Sequence, residues 1–380
     1  MDRSITQDLT GDRFTFCKLA LYLIMWYDEN NNSEKAGTNV GNKRITMQDV
    51  ADACGLSRNT VSKAFNGRGT VPPSTRAFII QKAAELGYGL PAREKPAVPS
   101  AANSIALLTS NMPMDYHFGT FFVTTFTDQI CRAGYTLKMF EVSSEELRQK
   151  QLPPPFVTDQ VAGIVAIELF DQSYLDMICG FGLPTIVIDS PAHANFSLMN
   201  CDFVSMENIA SIISVTKRLA ALDARHIGFV GDKEHCGSFY ERWVGYNIGL
   251  KKLGIEYEER ACILAPDSSP YNNMDWLIAQ LEQMRQIPDA FVCANDYLAI
   301  HLMNALKKKG LAIPGDVMVT GFDGTSQSAL VEPQLTTVQI PSIELGRMAA
   351  DILLNRIHNP DLPYNWTRVR TTPVWRGSTR

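Results

Sequence analysis

The chain of 380 residues is predicted to join an all-α helix-turn-helix headpiece to a two-lobed α/β domain with doubly wound parallel sheet. Three observations predict this architecture. Two short amphipathic helical segments flank a glycine within residues 44–66. Strand and helix patterns alternate through residues 103–380, which is typical of α/β folds. A chain of this length also suits two or three domains better than one.

The helix-turn-helix prediction rests on residues 44–66. Thr46 can cap a first helix whose apolar residues recur at helical spacing, and Gly55 is placed to end that helix. Ser57 can then cap a second helix. This second helix carries Val61, Ala64 and Phe65 on one face and Arg58, Asn59, Ser62 and Lys63 on another. Because arginine and lysine can pair with guanine, and asparagine with adenine, the polar face suits DNA recognition.

Residues 43–90 are basic, although the whole chain is acidic. Seven lysines and arginines against three acidic residues give this segment a net charge of +4 (7 − 3), whereas the chain carries −5. Such a distribution favours a nucleic-acid-binding module attached to another domain. We also expect a third helix here, capped by Ser74 and closing a small core with Phe78, Ile79, Ala83 and Leu86.

Residues 1–42 form an atypical extension. Residues 14–27 are apolar and aromatic, but this run is too short to span a bilayer and lacks the features of a signal peptide. Two interpretations are open: an anchor to a membrane or partner, or a disordered stretch that follows a start codon assigned too far upstream. We favour the second and expect no membrane association. Eight cysteines without a C-x-x-C pair predict reduced thiols in a cytoplasmic protein and no zinc site.

The headpiece resembles the DNA-binding domain of the lactose-repressor (LacI/GalR) family. The matching residues are Ile45-Thr46, Asp49-Val50-Ala51, Cys54-Gly55-Leu56-Ser57, Thr60-Val61-Ser62-Lys63, Asn66-Gly67, Val71, Thr75-Arg76, Ile80 and 83–88. The resemblance implies base contacts from Arg58, Asn59 and Lys63. It implies phosphate contacts from Thr46, Ser57, Thr60, Ser62 and Asn66.

The segment 91–102 reads as a hinge or linker because it is rich in proline and has no helical period. It departs from the family pattern. Pro96 and Pro99 would break the hinge helix of the family, and no leucine stands where its minor-groove wedge is expected.

Residues 103–380 are predicted to form an effector-binding and dimerisation domain. Buried parallel strands are expected at Ser104–Leu108, Thr136–Phe140, Gly163–Ile167, Thr185–Ile188, His226–Val230, Ala290–Cys293 and Val317–Gly321. Helices are expected at Ile209–Ala221, Arg242–Leu253, Trp276–Met284, Leu298–Lys309 and Ile343–Ile357. The resemblance implies a periplasmic-binding-protein-like fold whose chain crosses between two lobes three times, near Phe203–Met206, Gln339–Pro341 and Trp366–Val369.

Candidate ligand-binding residues follow the strands, because ligands bind parallel sheets at the carboxyl ends of their strands. These candidates are Phe118, Asp189, Arg242, Asn295, Asp296 and Asp323, with Arg242 expected to open a helix. Three segments resemble ligand-binding motifs of the family: 241–246, 293–299 and 321–338. An arginine with carboxylates and amides can hold a polyol, because each group bonds two neighbouring hydroxyls.

Simpler roles are open for several of these residues. Arg242 and Asp323 could form a structural salt bridge, and Asn295 and Asp296 could cap a helix. Phe118, with Tyr116 and His117, could supply a stacking face for a sugar ring or a base.

The leading functional prediction is a cytoplasmic homodimeric transcriptional regulator, a repressor, that binds operator DNA under the control of a small-molecule effector. The resemblance implies a sugar as that effector. The alternative is a sugar-binding sensor whose headpiece does not serve DNA. An enzyme is not expected, because no nucleophile, metal or acid–base set stands in a motif context. No cofactor is expected.

Overall fold

A computed structural model describes residues 46–66, 72, 75, 78–79, 82–83, 86, 103–111 and 119–379, without the side chains of 64–66. The chain divides into two units, Met1–Pro96 and Ala97–Arg380. The predictions for residues 1–42, for the cap at Ser74 and for the linker at 91–102 lie outside the described residues.

The first unit contains the predicted first helix, α1 (Met47–Cys54). Thr46 caps it in a capping box: its hydroxyl accepts from the backbone N–H of Asp49, while the Asp49 carboxylate accepts from the backbone N–H of Thr46. Gly55 ends the helix with φ 63°, a left-handed conformation that glycine adopts without a steric penalty. Both predicted boundaries of this helix are therefore confirmed.

The second helix, α2 (Arg58–Asn66), begins after Ser57, whose hydroxyl accepts from the backbone N–H of Thr60 at 3.1 Å. A small core joins the two helices to later residues of this unit. Its buried members are Val50, Ala51, Val61, Ile79 and Ala83.

The prediction for the later residues of this core was half right. Ile79 and Ala83 are buried, but Phe78 is 45% exposed and Leu86 36% exposed. The four predicted apolar residues form a helical stripe that is wider than the surface this small core covers, so two of them remain exposed.

The second unit is an α/β structure, with strands and helices numbered in chain order. Its strands are β1 (Ser104–Thr109), β2 (Thr136–Glu141), β3 (Gly163–Ile167), β4 (Thr185–Ile188), β5 (Asp202–Met206), β6 (Ile227–Val230), β7 (Ala290–Cys293), β8 (Met318–Thr320), β9 (Thr337–Gln339), β10 (Trp366–Val369) and β11 (Thr372–Val374). Its helices are α3 (Gly119–Arg132), α4 (Ser144–Gln149), α5 (Gln172–Cys179), α6 (Ile209–Ala221), α7 (Gly237–Leu253), α8 (Met274–Glu282), α9 (Asp296–Lys308) and α10 (Ser342–His358).

The larger lobe is built on a parallel sheet of six strands in the order β10-β5-β4-β3-β1-β2. Successive residues of β1 point to opposite faces: Ile105 and Leu107 join one core with α3 and α10, while Ala106 and Leu108 join another with α5. Helices thus cover both faces, so the central strands read as continuous apolar runs. This agrees with the doubly wound arrangement predicted from the sequence.

The predicted burial of β2 is wrong. This strand lies at the edge of the sheet, and four of its six residues are exposed, including Lys138 and Met139. Its apolar run resembled that of a central strand, because the hydropathy of a sequence does not show how many strands lie beside it.

The smaller lobe holds a parallel sheet in the order β6-β7-β8, beside an antiparallel pair of β9 and β11. The chain passes between the lobes after β5, between β9 and α10, and between β10 and β11. These are the three places predicted as crossings, although Phe203–Met206 and Trp366–Val369 are themselves strands of the larger sheet.

The first and third crossings are bonded to each other. Glu207 donates its backbone N–H to the carbonyl of Val369 at 2.7 Å. The hydroxyl of Thr371 donates to the carbonyl of Glu207 at 2.6 Å and lies 2.7 Å from the hydroxyl of Ser211. Two of the three connections between the lobes therefore form one paired strip.

Among the described helices, none is long and apolar enough to cross a membrane.

Candidate functional site

The second helix of the headpiece, α2, presents its polar residues to solvent. Arg58, Asn59 and Lys63 are exposed, whereas Val61 on the opposite face is fully buried. This division results from helical spacing, since residues three and four apart share a face. The three predicted base-reading side chains therefore lie on an accessible surface, as recognition in a major groove requires.

Three of the five predicted phosphate-contacting residues, Thr46, Ser57 and Thr60, lie at the starts of the two helices. Thr46 and Ser57 cap α1 and α2, and the hydroxyls of Ser57 and Thr60 lie 2.8 Å apart. Ser62 is partly buried, and the side chain of Asn66 lies outside the described residues. Helix starts with free backbone N–H groups and hydroxyls are suited to phosphate oxygens.

The second unit contains a cavity of about 520 Å³ that residues from both lobes line. The larger lobe contributes Ser110, Asn111, Glu168, Phe170 and Asp189. The smaller lobe contributes His235, Cys236, Ser238, Phe239, Arg242, Asp267, Asn295, Tyr297, Leu298 and Asp323. Four predicted ligand-binding residues, Asp189, Arg242, Asn295 and Asp323, therefore meet in one cavity. Phe118 lies outside the described residues.

Arg242 lies at the centre of the smaller lobe's wall, and its side chain is 2% exposed. Its Nε donates to Oδ1 of Asn208 at 3.0 Å, and Nη1 donates to the carbonyl of Ala294 at 2.7 Å. Nη1 also lies 3.3 Å from Oδ1 of Asp323, and the guanidinium stacks 3.7 Å from the centre of the Phe322 ring. The proposed structural salt bridge is therefore present, and it faces the cavity. Arg242 lies within α7, not at its start as predicted, because that helix begins at Gly237.

Asp323 follows β8, and burial raises the pKa of its carboxyl to about 7, although the charge of Arg242 acts to lower it. The neighbouring carboxylates Asp296, Glu168 and Asp189 also act to raise this pKa. Desolvation thus outweighs the single cation beside it. Near neutral pH, this carboxyl can either accept or donate a hydrogen bond.

Asp189 connects the lobes. It follows β4 in the larger lobe, and its Oδ1 accepts from the backbone N–H of Ser238, at the start of α7 in the smaller lobe, at 3.1 Å. Its Oδ2 accepts from the hydroxyl of Ser238 at 2.6 Å. Cys236, the residue at the cap position of α7, gives no side-chain cap. A residue of one lobe therefore caps a helix of the other.

Gly237 makes this approach possible. Its backbone N–H donates to the carbonyl of Ser190 at 2.6 Å. A Cβ at position 237 would lie 2.2 Å from Oγ of Ser190, so any larger residue would force that hydroxyl to move.

Asn295 and Asp296 have different roles in the structure. Asn295 lines the cavity and also caps α9, accepting from the backbone N–H of Leu298 at 2.9 Å. Asp296 is fully buried and does not line the cavity; its carboxylate accepts from the backbone N–H of Thr325 at 2.8 Å and from the hydroxyls of Thr325 and Thr337. The structure thus corrects its predicted position in the site. Asp296 instead fixes the segment that carries Asp323.

Sequence reasoning missed Glu168, which lines the cavity beside Asn111. Burial raises the pKa of its carboxyl to about 6, while a hydrogen bond from the Asn111 side chain acts to lower it. Glu168 directly follows β3, so the strand-end rule that selected Asp189 would have selected it too. His235, Asp267 and Phe170 had no such signal because loops carry them, and Tyr297 lies in the first turn of α9.

Three cavity residues share a rare backbone conformation. Among the described residues, five other than glycine have positive φ, and three of these, Glu168 (53°), Asp189 (62°) and Asp323 (106°), carry three of the cavity's four carboxylates. Such conformations cost free energy and are found most often at ligand-binding sites. Three strand ends therefore hold their acidic side chains in place at a conformational cost.

No group of three histidine, cysteine, aspartate or glutamate residues in the described part of the chain is placed to hold a metal ion. The cavity offers carboxylates, the amides of Asn111 and Asn295, one guanidinium and aromatic faces as its recognition groups.

Comparison with known proteins finds a match in each unit. Residues 46–89 match the family of bacterial regulatory proteins of the lacI type, and residues 216–379 match the periplasmic binding protein-like domain. The chain thus joins a lacI-type headpiece to a periplasmic-binding-protein-like domain. It is accordingly a DNA-binding transcriptional regulator.

Relatives along nearly the whole length agree with this assignment. The chain is 24% identical over 331 residues to the HTH-type transcriptional repressor PurR of Haemophilus influenzae, covering 86% of this chain and 96% of that protein. It is 24% identical over 336 residues to the ribose operon repressor of Bacillus subtilis, covering 88% and 98%.

Solved structures share the fold of this chain. The CelR–cellobiose complex covers 88% of this chain and 100% of that one, at 24% identity and a TM-score of 0.64. The lac repressor dimer bound to operator and the anti-inducer ONPF covers 89% and 99%, at 22% identity and a TM-score of 0.63.

The buried carboxyls of the cavity lead to a prediction about stability and pH. An unfolded aspartate ionises near pH 4, whereas folded Asp323 ionises near pH 7, so the folded state holds an extra proton between these values. Raising the pH through 7 removes that stabilisation. Without added ligand, the free energy of unfolding of the second unit should fall by about 1–2 kcal/mol from pH 6 to pH 8. Denaturant titrations at both pH values measure this change.

Asp323→Asn provides the control for this effect. It removes the titrating group, so its stability should change with pH by less than half as much as that of the original protein. An equal pH dependence in both proteins would show that Asp323 does not titrate in this range.

Proposed function

We propose that this regulator is a homodimeric repressor whose operator binding is controlled by a small polyhydroxyl molecule, a sugar, held between the two lobes. We also propose the division into an extension at 1–42, a DNA-binding domain at 43–90, a hinge at 91–102 and an effector-binding and dimerisation domain at 103–380. Its place of action would be the cytoplasm.

The cavity between the lobes is the observation that carries the effector proposal. Asp189, Arg242, Asn295 and Asp323 come from four different strand ends or helices, yet all four face one space of about 520 Å³. That volume is in the range of small-molecule sites. The names of the relatives support a sugar, since one solved structure is a CelR–cellobiose complex and one relative is a ribose operon repressor.

A ligand in this cavity would touch both lobes and so change the free energy of their relative orientation. Because Asp189 of one lobe caps α7 of the other, a ligand that bonds Asp189 competes with or reinforces that contact. Ligand control then follows from the difference in affinity between the two orientations.

For the headpiece, we propose that Arg58, Asn59 and Lys63 read bases in the major groove. Thr46, Ser57, Thr60, Ser62 and Asn66 would hold phosphates. The exposure of Arg58, Asn59 and Lys63 on one helical face supports the first assignment. The position of Thr46 and Ser57 at helix starts supports the second.

Arg58→Ala tests the DNA-binding proposal. The variant should lose about 1–3 kcal/mol of operator affinity, roughly 5- to 150-fold, and should relax the preference at one base pair. The measurement is fluorescence anisotropy on an operator that the full chain has selected from random duplexes, followed by single-base variants of that operator.

Arg132→Ala is the matched control, because Arg132 is exposed in α3 and pairs only locally with Asp128. It should leave operator affinity unchanged. If Arg58→Ala weakens random and selected DNA equally, Arg58 does not read bases. If the full chain selects no duplex at all, a sensor without DNA function becomes the better description.

A further inference from the structure

The charges that line the cavity do not balance. Four carboxylates, Glu168, Asp189, Asp267 and Asp323, face one guanidinium, that of Arg242, which leaves a formal charge of −3 (1 − 4) apart from His235. His235 lies beside Asp267, with 3.5 Å between its Nδ1 and the Oδ2 of the carboxylate. The excess negative charge therefore lies in the part of the cavity between Glu168, Asp189 and Asp323.

Among the described lining residues, Arg242 carries the one permanent positive charge, and it is already paired with a carboxylate. Three of its five N–H donors point to protein oxygens, at Asn208, Ala294 and Asp323, and its flat face lies on the ring of Phe322. An anionic ligand would have to share this guanidinium with Asp323 and would meet the other carboxylates of the wall. Repulsion between like charges in a desolvated site therefore disfavours sugar phosphates and sugar acids.

A neutral sugar fits this wall less well than a cation does. Its hydroxyls can donate to the carboxylates, but closing the lobes over it would bury net negative charge without a partner. A protonated amine would supply both donors and charge. Three aromatic residues, Phe170, Phe239 and Tyr297, also line the cavity. The faces of aromatic rings attract cations.

We propose that the effector is a small hydroxylated amine, of the amino-sugar class, whose ammonium group lies among Glu168, Asp189 and Asp323. This inference rests on the proposed function and narrows it. The hydroxyls of the ligand would face Asn295 and the exposed edge of Asp323, while its ammonium would face the larger lobe. Glu168 is then the residue that selects a positively charged ligand over a neutral one.

The titration behaviour of the site supports this assignment. Burial raises the pKa of Glu168 to about 6 and that of Asp323 to about 7. The groups that face Glu168 are Asn111, His235 and Asp189, and those that face Asp323 are Arg242, Asp296, Glu168 and Asp189. A cation would favour the ionised carboxylates and lower both pKa values. Binding of an amine should therefore release protons and strengthen as the pH rises from 6 to 8.

The experiment uses the full chain and two matched sets of probes in isothermal titration calorimetry. One set is D-glucosamine, D-glucose and D-glucose 6-phosphate; the other is 1-amino-1-deoxy-D-sorbitol and D-sorbitol. An amine should bind at least tenfold more tightly than its neutral parent, and the phosphate should not bind. The affinity of 1-amino-1-deoxy-D-sorbitol, whose amine stays protonated over this range, should rise severalfold from pH 6 to pH 8.

Glu168→Gln keeps the shape of the side chain and removes its charge. It should reduce amine affinity at least tenfold and remove most of the preference for the amine over its neutral parent. Glu141→Gln, at the exposed end of β2, is the matched control and should change neither.

The outcomes separate this inference from the proposed function. If a neutral or phosphorylated probe binds as tightly as its amine, or if no amine binds, the charge inference is overturned. A neutral sugar that binds at least as tightly as its amine, and whose binding is lost in Asp323→Ala, would overturn it while supporting the effector function of the cleft. Amine binding that Glu168→Gln leaves intact would also overturn it, because the ammonium would then lie elsewhere.

Discussion

Replacing Arg242 with alanine should abolish the effector response and destabilise the second unit by about 3–5 kcal/mol. Arg242 is the side chain that joins α7 to the start of α6, the β7–α9 segment and the strand end of β8, through Asn208, Ala294 and Asp323. Its loss leaves a buried carbonyl and a buried amide without their donor. Asp323 would respond by keeping its proton, which limits the cost of its lost ion pair.

Two measurements check this expectation: denaturant unfolding of the variant and ligand titration of its operator binding. Arg242→Lys separates charge from geometry, because lysine keeps the charge but lacks the fixed fork of donors. It should recover part of the stability and little of the response. The exposed Arg132→Ala should affect neither quantity. A variant without Arg242 that still responds to effector would remove this residue from the binding site.

Replacing Asp202 with alanine should destabilise the second unit by about 3–5 kcal/mol as well, for a purely structural reason. Asp202 begins β5 and forms two hydrogen bonds with Arg356 of α10, at 2.9 and 3.0 Å, in a pair that is almost fully buried. Arg356 also donates to the carbonyls of Pro360, Leu362 and Pro363. Without the carboxylate, a buried guanidinium would lose its counter-charge, and the loop that leads into β10 would lose its anchor.

Asp128→Ala provides the comparison for Asp202→Ala. Asp128 also pairs with an arginine, Arg132, but both side chains are more than half exposed. Exposed ion pairs contribute about 0–1 kcal/mol, so this variant should unfold near the midpoint of the original protein. Equal denaturation midpoints for the two variants would contradict the energetic importance of the buried pair.

The regular part of the fold could be predicted because burial dictates its sequence. The predicted boundaries of β3, β4 and β7 agree with the structure, since strands covered on both faces must be continuously apolar. The short strands β9 and β11 were not predicted. Each has three residues, which is too short for a period to appear in the sequence.

The site could be predicted only in part, because a strand end identifies a place in the chain and not the direction of a side chain. Asn295 and Asp296 are adjacent at the same strand end, yet one faces the cavity and the other faces Thr325 and Thr337. Their separation depends on the backbone of the loop and on partners distant in sequence. The contact between Asp189 and Ser238 depends equally on how the two lobes meet, which no local pattern records.

The bonded strip formed by the first and third crossings limits how the lobes can move. Glu207, Val369 and Thr371 hold two chain segments side by side, so sliding one lobe past the other would break several bonds at once. Rotation about an axis along the strip would keep them. The paired strip therefore favours hinge rotation of the lobes over sliding, and a ligand in the cavity would change the relative orientation of their outer surfaces chiefly through that rotation.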